Sequence, residues 1–411
     1  MRIENLRTET YHHRTRVVAN VIWENRDRPE QELYFETTSE FAHELDCNPN
    51  AFLTACALPA MRYGETRITI DQPICPELKA GLITVMNWLA HWSKSDRKPI
   101  AIEAPLQTIS TPSSQVSRAG CFFSGGIDSL ALLRTNRLNF PPTHPRAIQD
   151  GILVYGILNG EDENDASFQN VIDAVAKMAQ DAGINLIQIS TNAYAHLRDL
   201  DSDFKFWKHE FQGSFLAAVA HTLSRRLNTV SIASTYDLAN LAPWGSHPCL
   251  DHHFSSNDLK IRHENETLSR LEKTKIVAQW DVAIQNLRVC NEKNSYSQGN
   301  YNCGKCEKCV RTMTALLALG LLERTPTFLE KNVTEDLLVK HAYVTDSYEE
   351  ACYRELMTPL VEMRRYDLVN GIKRIINRYH EQDFKGMIKR LDRSVFRGNL
   401  LNFGKTLGGL F

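Results

Sequence analysis

"CFFSGGIDSLALL", residues 121–133, passes from an apolar run to a helical one through a cluster of small residues. Cys121, Phe122 and Phe123 have the composition of a buried strand end. Leu130, Leu132 and Leu133 fall on one side of a helix, which leaves Ser124, Gly125 and Gly126 as the turn between them. Joints of this kind hold anions, because glycines let backbone N–H groups approach closely and the positive end of the helix faces the same spot. Ser124 and Ser129 add hydroxyl donors. Asp128 is repelled by phosphate unless Mg²⁺ lies between them, or else it caps the helix. The lysine that follows the glycines in G-x-x-x-x-G-K-[ST] is missing, so phosphate binding here needs another cation. A strand–helix turn with a capping aspartate and no ligand is the plainer reading of the same residues.

Outward from this loop, short β-rich runs alternate with helical ones. "AGCFF" (119–123), "GILVYGIL" (151–158), "NLIQIS" (185–190) and "TVSIAST" (229–235) read as strands. "DSLALLRTNRL" (128–138), "ASFQNVIDAVAKMAQDAG" (166–183) and "FQGSFLAAVAHTLSRRL" (211–227) read as helices. The alternation predicts an α/β fold, a parallel sheet covered by helices with ligands at the carboxyl ends of the strands.

Residues 1–112 read as an N-terminal α+β domain. It has a strand pair, "RTRVVANVIWEN" (14–25) and "QELYFETT" (31–38), across a turn at Pro29, and a helix near "SEFAHEL" (39–45). A strand "TRITID" (66–71), a helix "CPELKAGLITVMNWLAHWS" (75–93) opened by Pro76, and a strand "PIAIEA" (99–104) follow. The polar stretch "TISTPSSQVSR" (108–118) reads as a linker. The α/β domain is then expected over 113–325, with the cysteine-rich segment 290–309 inside it, and a helical region over 326–411. That last region ends in a basic, amphipathic stretch from Met363, read as a helical pair with a solvated basic face or as a surface for a partner.

At 411 residues, with 43% apolar and 23% charged residues, the composition is that of a globular protein. A formal net charge of -2 gives no general attraction to nucleic acid, which is not expected as a partner. No apolar run has the length of a membrane span, and "MRIENLRTET" lacks the h-region of a signal peptide, so a cytoplasmic location without membrane contact is expected.

Four of the ten cysteines, Cys290, Cys303, Cys306 and Cys309, lie in "CNEKNSYSQGNYNCGKCEKC" (290–309) with spacing C-x12-C-x2-C-x2-C. Four thiolates close a tetrahedral shell around Zn²⁺ and leave no open position, which predicts a structural zinc. An iron–sulfur cluster and unmetallated thiols are the competing readings. His247, Asp251, His252 and His253 in "HPCLDHHF" (247–254) form a second group, read as polar lining or as a metal site. Asp237 follows a strand end and reads as a substrate contact or a turn cap.

The S-G-G-I-D-S run after a buried strand resembles the S-G-G-x-D-S signature of the PP-loop ATP pyrophosphatases. The resemblance implies a sheet of the adenine nucleotide alpha hydrolase (HUP/PP-loop) type. It implies Ser124, Gly125, Gly126, Asp128 and Ser129 as the residues that bind ATP with Mg²⁺, and AMP-forming activation of a substrate carboxylate or carbonyl oxygen. "LEKTKIVAQW" (271–280) resembles a lysine stretch late in several of these enzymes, which implies Lys275, or else Lys273, as the cation at the phosphates. Lys205, Lys208 and His209 are a further cationic group that can face a nucleotide.

The cysteine cluster, continuing as "CGKCEKCVRTMTAL" (303–316), resembles the zinc motif of the QueC enzymes, which convert 7-carboxy-7-deazaguanine to its amide and then its nitrile with ATP and ammonia. The likeness spans residues 119 to roughly 320. Within it, "HPCLDHHF" keeps Pro248 and Phe254 of the family's Y-P-D-C-x-x-x-F but carries Cys249 and Leu250 for Asp-Cys, and "HEFQG" (209–213) stands for P-x-R-N. Longer QueC-like proteins of antiphage systems, including type IV CBASS, attach a deazaguanine to the N-terminal amine of a partner protein. The resemblance therefore implies a carbon–nitrogen ligase acting on a 7-deazaguanine acid. A partner protein is the implied acceptor, bound through the N-terminal domain or the basic tail, with antiviral defence as its setting. The alternatives are nitrile synthesis from ammonia and a tRNA-modifying sulfurtransferase.

Overall fold

A computed structural model of the protein describes residues 1–12, 14–93, 96–108, 118–156, 166–290 and 301–395. The expected linker lies mostly outside the described residues. Before it come strands β1 (Arg2–Tyr11), β2 (Arg14–Ile22), β3 (Gln31–Thr37), β4 (Arg67–Ile70) and β5 (Ala101–Glu103), with helices α1 (Pro49–Arg62) and α2 (Pro76–Trp92). The β2–β3 pair is antiparallel, and "SEFAHEL" is a short 3₁₀ helix, Ser39–Glu44. Neither β1 nor α1 follows from periodicity. Every residue of α1 from Asn50 to Met61 is buried, so the helix has no polar face to mark it. The β1 sequence is mostly polar and its pairing with β2 is interrupted by a bulge between Glu4 and Arg7.

The second half adds β6 (Ala119–Phe122), β7 (Ile148–Tyr155), β8 (Asn185–Thr191), β9 (Thr229–Ala233) and β10 (Lys260–Glu264). Its helices are α3 (Ile127–Asn139), α4 (Ala166–Asp181), α5 (Gln212–His221), α6 (Arg270–Ala278) and α7 (Asp281–Gln285). All ten strands form one sheet in the order β10-β9-β6-β7-β8-β3-β2-β1-β4-β5. Pairing is parallel from β10 to β8 and antiparallel from β8 through β3 and β2 to β1, then parallel again through β4 to β5. The α+β segment and the α/β segment thus share a sheet, joined at Phe35↔Thr191. Thr37 Oγ1 to Gln188 O (2.8 Å) and Thr191 Oγ1 to Tyr34 O (2.6 Å) close the seam.

This order positions the loop. β6 comes first in the α/β half, with β7 and β8 on one side of it and β9 and β10 on the other. Connections leave β6 and β9 in opposite directions, which opens a crevice at their carboxyl ends, where open α/β sheets bind ligands. The opposite end of the same strands is tied shut. Asp150 is fully buried and bonded by Arg118, by Arg226 (3.0 and 3.1 Å) and by Asn185 (2.8 Å). Burial raises its carboxyl, but the two guanidinium groups outweigh that and hold it below the ordinary aspartate range.

The chain divides into two compact units, Met1–Asn302 with Thr325–Thr327, and Cys303–Arg324 with Phe328–Phe411. The second is helical: α8 (Glu307–Ala318), α9 (Glu335–His341), α10 (Ser347–Arg354), α11 (Met357–Glu362) and α12 (Tyr366–Val395). The C-terminal stretch read as a helical pair forms the single helix α12 up to Val395. Leu368, Val369, Ile372, Ile375 and Ile376 form its buried stripe. Among the described residues no helix is long and apolar enough to cross a membrane.

Candidate active site

β6 delivers the chain to the crevice. Phe123 N–H still bonds Ile152 O (2.8 Å), and the next residue, Ser124, is exposed. Gly125 turns the chain at φ +76°, a conformation costly for any side chain, and Arg288 N–H bonds its carbonyl at 3.2 Å. A Cβ there would also stand 3.0 Å from Met178 Cε. Gly126 is the N-cap of α3 and brings no side-chain acceptor, so the first-turn donors of the helix are not satisfied by their own cap. Ser129 Oγ bonds Gly126 O at 3.0 Å and lies 3.4 Å from Ser124 Oγ. Asp128 is the second residue of α3 rather than its cap, and its carboxylate engages α6.

α6 opens with a capping box: Ser269 Oγ accepts Glu272 N–H (3.2 Å) and Glu272 Oε2 accepts Ser269 N–H (2.7 Å). The box sets Arg270 and Lys273, one turn apart, on the same side. Arg270 Nη1 donates to Asp128 Oδ2 at 2.7 Å, and Lys273 Nζ lies 3.6 Å from Asp128 Oδ1. Lys273 also donates to the carbonyls of Ser234 (2.7 Å) and Thr235 (3.4 Å), the residues that leave β9. Its side chain is 1% exposed. Burial pulls its ammonium down from the ordinary lysine range, and Asp128 pulls it back up. Loop, β9 end and α6 therefore meet at one point, where Arg270 and Lys273 face the Asp128 carboxylate.

Lys275 is exposed on α6, while Lys273 reaches the loop. Two positions along a helix are about 200° apart, so one of the pair must face away. Asp237 caps the short turn Leu238–Asn240 through Ala239 N–H (3.0 Å). Lys205, Lys208 and His209 are exposed; Lys205 pairs with Asp203, and His209 packs on Trp244. "HPCLDHHF" is an internal polar joint. Fully buried Asp251 accepts from Ser246 Oγ (2.7 Å), His263 Nδ1 (2.8 Å) and His247 N–H (3.2 Å). His252 Nδ1 meets Pro248 O. Among the described residues this group is not a metal-holding one.

The group among the described residues that could hold a metal ion is Cys290, Cys303, Cys306 and Cys309, whose Sγ atoms all lie within 4.8 Å of one another. Cys303 Sγ is 3.8 Å from Cys309 Sγ. A tetrahedral shell with Zn–S near 2.3 Å needs sulfurs about 3.8 Å apart, so the donor set fits zinc. Backbone N–H groups of Lys305 (3.4 Å) and Cys306 (3.2 Å) bond Cys303 Sγ, a turn made possible by Gly304 at φ +68°. Buried Asn302 holds the segment leading to Cys290. Its Oδ1 accepts Val289 N–H (2.8 Å), and its Nδ2 donates to Leu287 O (2.8 Å) and Thr327 Oγ1 (3.1 Å).

Arg270 and Asn302 are the residues that sequence reasoning passed over. The S-x-x-E box at Ser269–Glu272 is the signal for the first, since it marks where α6 begins and thus which lysine shares its inner face. Chemically, the loop can hold a polyanion. Comparison of the chain with protein-family models, with curated proteins and with solved structures gave no match.

Proposed function

We propose that the protein is an ATP-dependent, AMP-forming carbon–nitrogen ligase of the HUP/PP-loop type. It activates the carboxylate of a 7-deazaguanine acid and passes the acyl group to an amine of a partner protein, in antiphage defence. The observation that carries this reading is the convergence of the Ser124–Ser129 loop, Lys273 and Arg270 at the β6/β9 crevice. A carboxylate is unreactive toward amines because oxide is a poor leaving group. In the proposed reaction its oxygen attacks the α-phosphorus of ATP, and the bond to the β-phosphate breaks to release pyrophosphate. The amine nitrogen then attacks the acyl carbon; AMP leaves with the C–O electron pair, and nitrogen gives a proton to solvent. The loop amides, Ser124 and Ser129 bind the terminal phosphates, while Lys273 and Arg270 stabilise the charge that develops on pyrophosphate.

Asp128 is the carboxylate that would hold Mg²⁺, an ion that takes one or two carboxylates plus phosphate oxygens and supplies charge neutralisation when bound. The four-cysteine site, being closed, holds zinc for structure. Sulfur transfer fits less well. It needs a reactive thiol at the loop, yet Cys121 in β6 is fully buried and burial pushes its thiol up to about 12.

Mass spectrometry of the protein incubated with 7-carboxy-7-deazaguanine, ATP and Mg²⁺ tests the reading. A deazaguanine mass added to a protein encoded beside it, with AMP formed, is the expected result. Free nitrile from ammonia alone would reassign the acceptor. No AMP with either amine would overturn the ligase.

A further inference from the structure

We infer that Tyr236, Trp244 and His209 form an aromatic wall beside the phosphate loop that holds a planar heteroaromatic ring by stacking. This deepens the proposed function, on which the identity of the ligand rests; the wall itself rests on geometry. Tyr236 follows Thr235, whose carbonyl holds Lys273, so the wall begins where the cationic end of the crevice stops. Its ring stands edge-on to Trp244 with centroids 5.3 Å apart at 87°, and His209 meets Trp244 at 5.2 Å and 79°. Tyr236 is buried, Trp244 half-buried and His209 exposed, a series that runs from the interior to solvent. Phe206, Phe211 and Phe215 belong to the main hydrophobic core, a cluster that does not include Tyr236 or Trp244.

The wall is also built in place. Trp244 Nε1 donates to Gln212 Oε1 at 3.0 Å, which fixes the indole. His209 belongs to a π-type turn, Trp207–Phe211, immediately before α5. The strand of chain carrying Trp244 is laid across that turn: Gly245 N–H bonds Lys208 O, and Gly213 N–H bonds Gly245 O, both at 2.7 Å. A Cβ on Gly245 would stand 2.9 Å from the backbone nitrogens of Phe211 and Gln212, so the crossing requires glycine next to the tryptophan. A π turn is a poorer helix than the one it interrupts, and such turns recur at functional sites. Here it aligns a histidine with a tryptophan. Stacking on such rings tolerates any flat heterocycle, so adenine of ATP and the bicyclic ring of a deazaguanine acid share the required chemistry.

Calorimetric titration of ATP, 7-carboxy-7-deazaguanine and inorganic tripolyphosphate separates the sources. With Trp244→Leu, we expect at least one ring ligand to bind about tenfold more weakly or worse, and tripolyphosphate, which has no ring, to bind as in wild type. Trp244→Phe should restore most of the loss, and His209→Gln serves as the second probe if Trp244→Leu does not fold. A defect confined to ATP assigns the wall to adenine, and one confined to the acid assigns it to the substrate; either supports the wall. Unchanged binding of both ring ligands by Trp244→Leu and His209→Gln overturns it, as does a wild-type protein that binds neither. Wild-type protein that ignores tripolyphosphate but binds a ring through Trp244 sinks the phosphate-loop reading and leaves the wall standing.

Discussion

Replacing Lys273 by alanine is expected to lower acid-dependent exchange of pyrophosphate into ATP by about 10²–10³-fold, the usual cost of removing one preorganised stabiliser of developing charge. Lys275→Ala should stay within about twofold of wild type, since an exposed surface charge contributes little. The contrast follows from the fold. Lys273 is buried against the carbonyls of Ser234 and Thr235 and lies 3.6 Å from Asp128, whereas Lys275 is turned to solvent. Loss of the ammonium also strands a buried carbonyl, a cost of about 1–3 kcal/mol in stability, so thermal melting must accompany the kinetics. Lys273→Met, which keeps the buried stem, should melt closer to wild type and be equally inactive. Reversal of the pattern, with Lys275 essential and Lys273 dispensable, would remove the crevice from the chemistry.

The second large effect is on folding. Purified protein should carry about one zinc ion per chain and no colour, as a closed tetrathiolate site requires. Cys309→Ser removes a fully buried ligand and is expected to yield insoluble protein, because structural zinc sites contribute on the order of 10 kcal/mol. Chelation of the wild-type protein should lower its melting temperature, with recovery on adding zinc. Metal analysis of the fresh protein, followed by melting with and without chelator, reads both. A brown, iron-containing preparation would replace zinc with an iron–sulfur cluster, and a soluble, metal-free protein unaffected by chelator would refute any resident metal.

Much of the α/β half was legible because its strands are short apolar runs bounded by turn residues: β6, β8, β9, α3 and α4 fall within about two residues of the runs read for them, whereas β7 starts at Ile148 rather than at 151 and α5, buried on most sides, stops at His221 rather than at 227. The cysteines were legible from spacing, as thiolate ligation constrains spacing more tightly than most chemistry does. What stayed hidden depends on contacts between distant segments. β10, "KIRHE", is a charged strand whose pairing with β9 no local pattern announces. The sheet continues from β8 into β3, far apart in the chain, visible only in the register Thr37↔Ile189 and in side-chain hydrogen bonds such as Thr37 Oγ1 to Gln188 O, 151 positions away. Lys273 and Lys275 look equivalent as letters, and only the helix phase set by Ser269 and Glu272 distinguishes them. The histidines of "HPCLDHHF" have the composition of a metal site, yet His247 Nδ1 accepts Cys249 N–H, His252 Nδ1 meets Pro248 O, and Asp251 is taken by Ser246 and by His263 from outside the stretch.

The most direct test is a crystal structure with a non-hydrolysable ATP analogue. The account predicts triphosphate oxygens within hydrogen-bonding distance of the Gly125 and Gly126 amides and of Lys273 Nζ, with Arg270 drawn toward them from Asp128. A nucleotide bound elsewhere, with the loop bare and Arg270 still on Asp128, would contradict it.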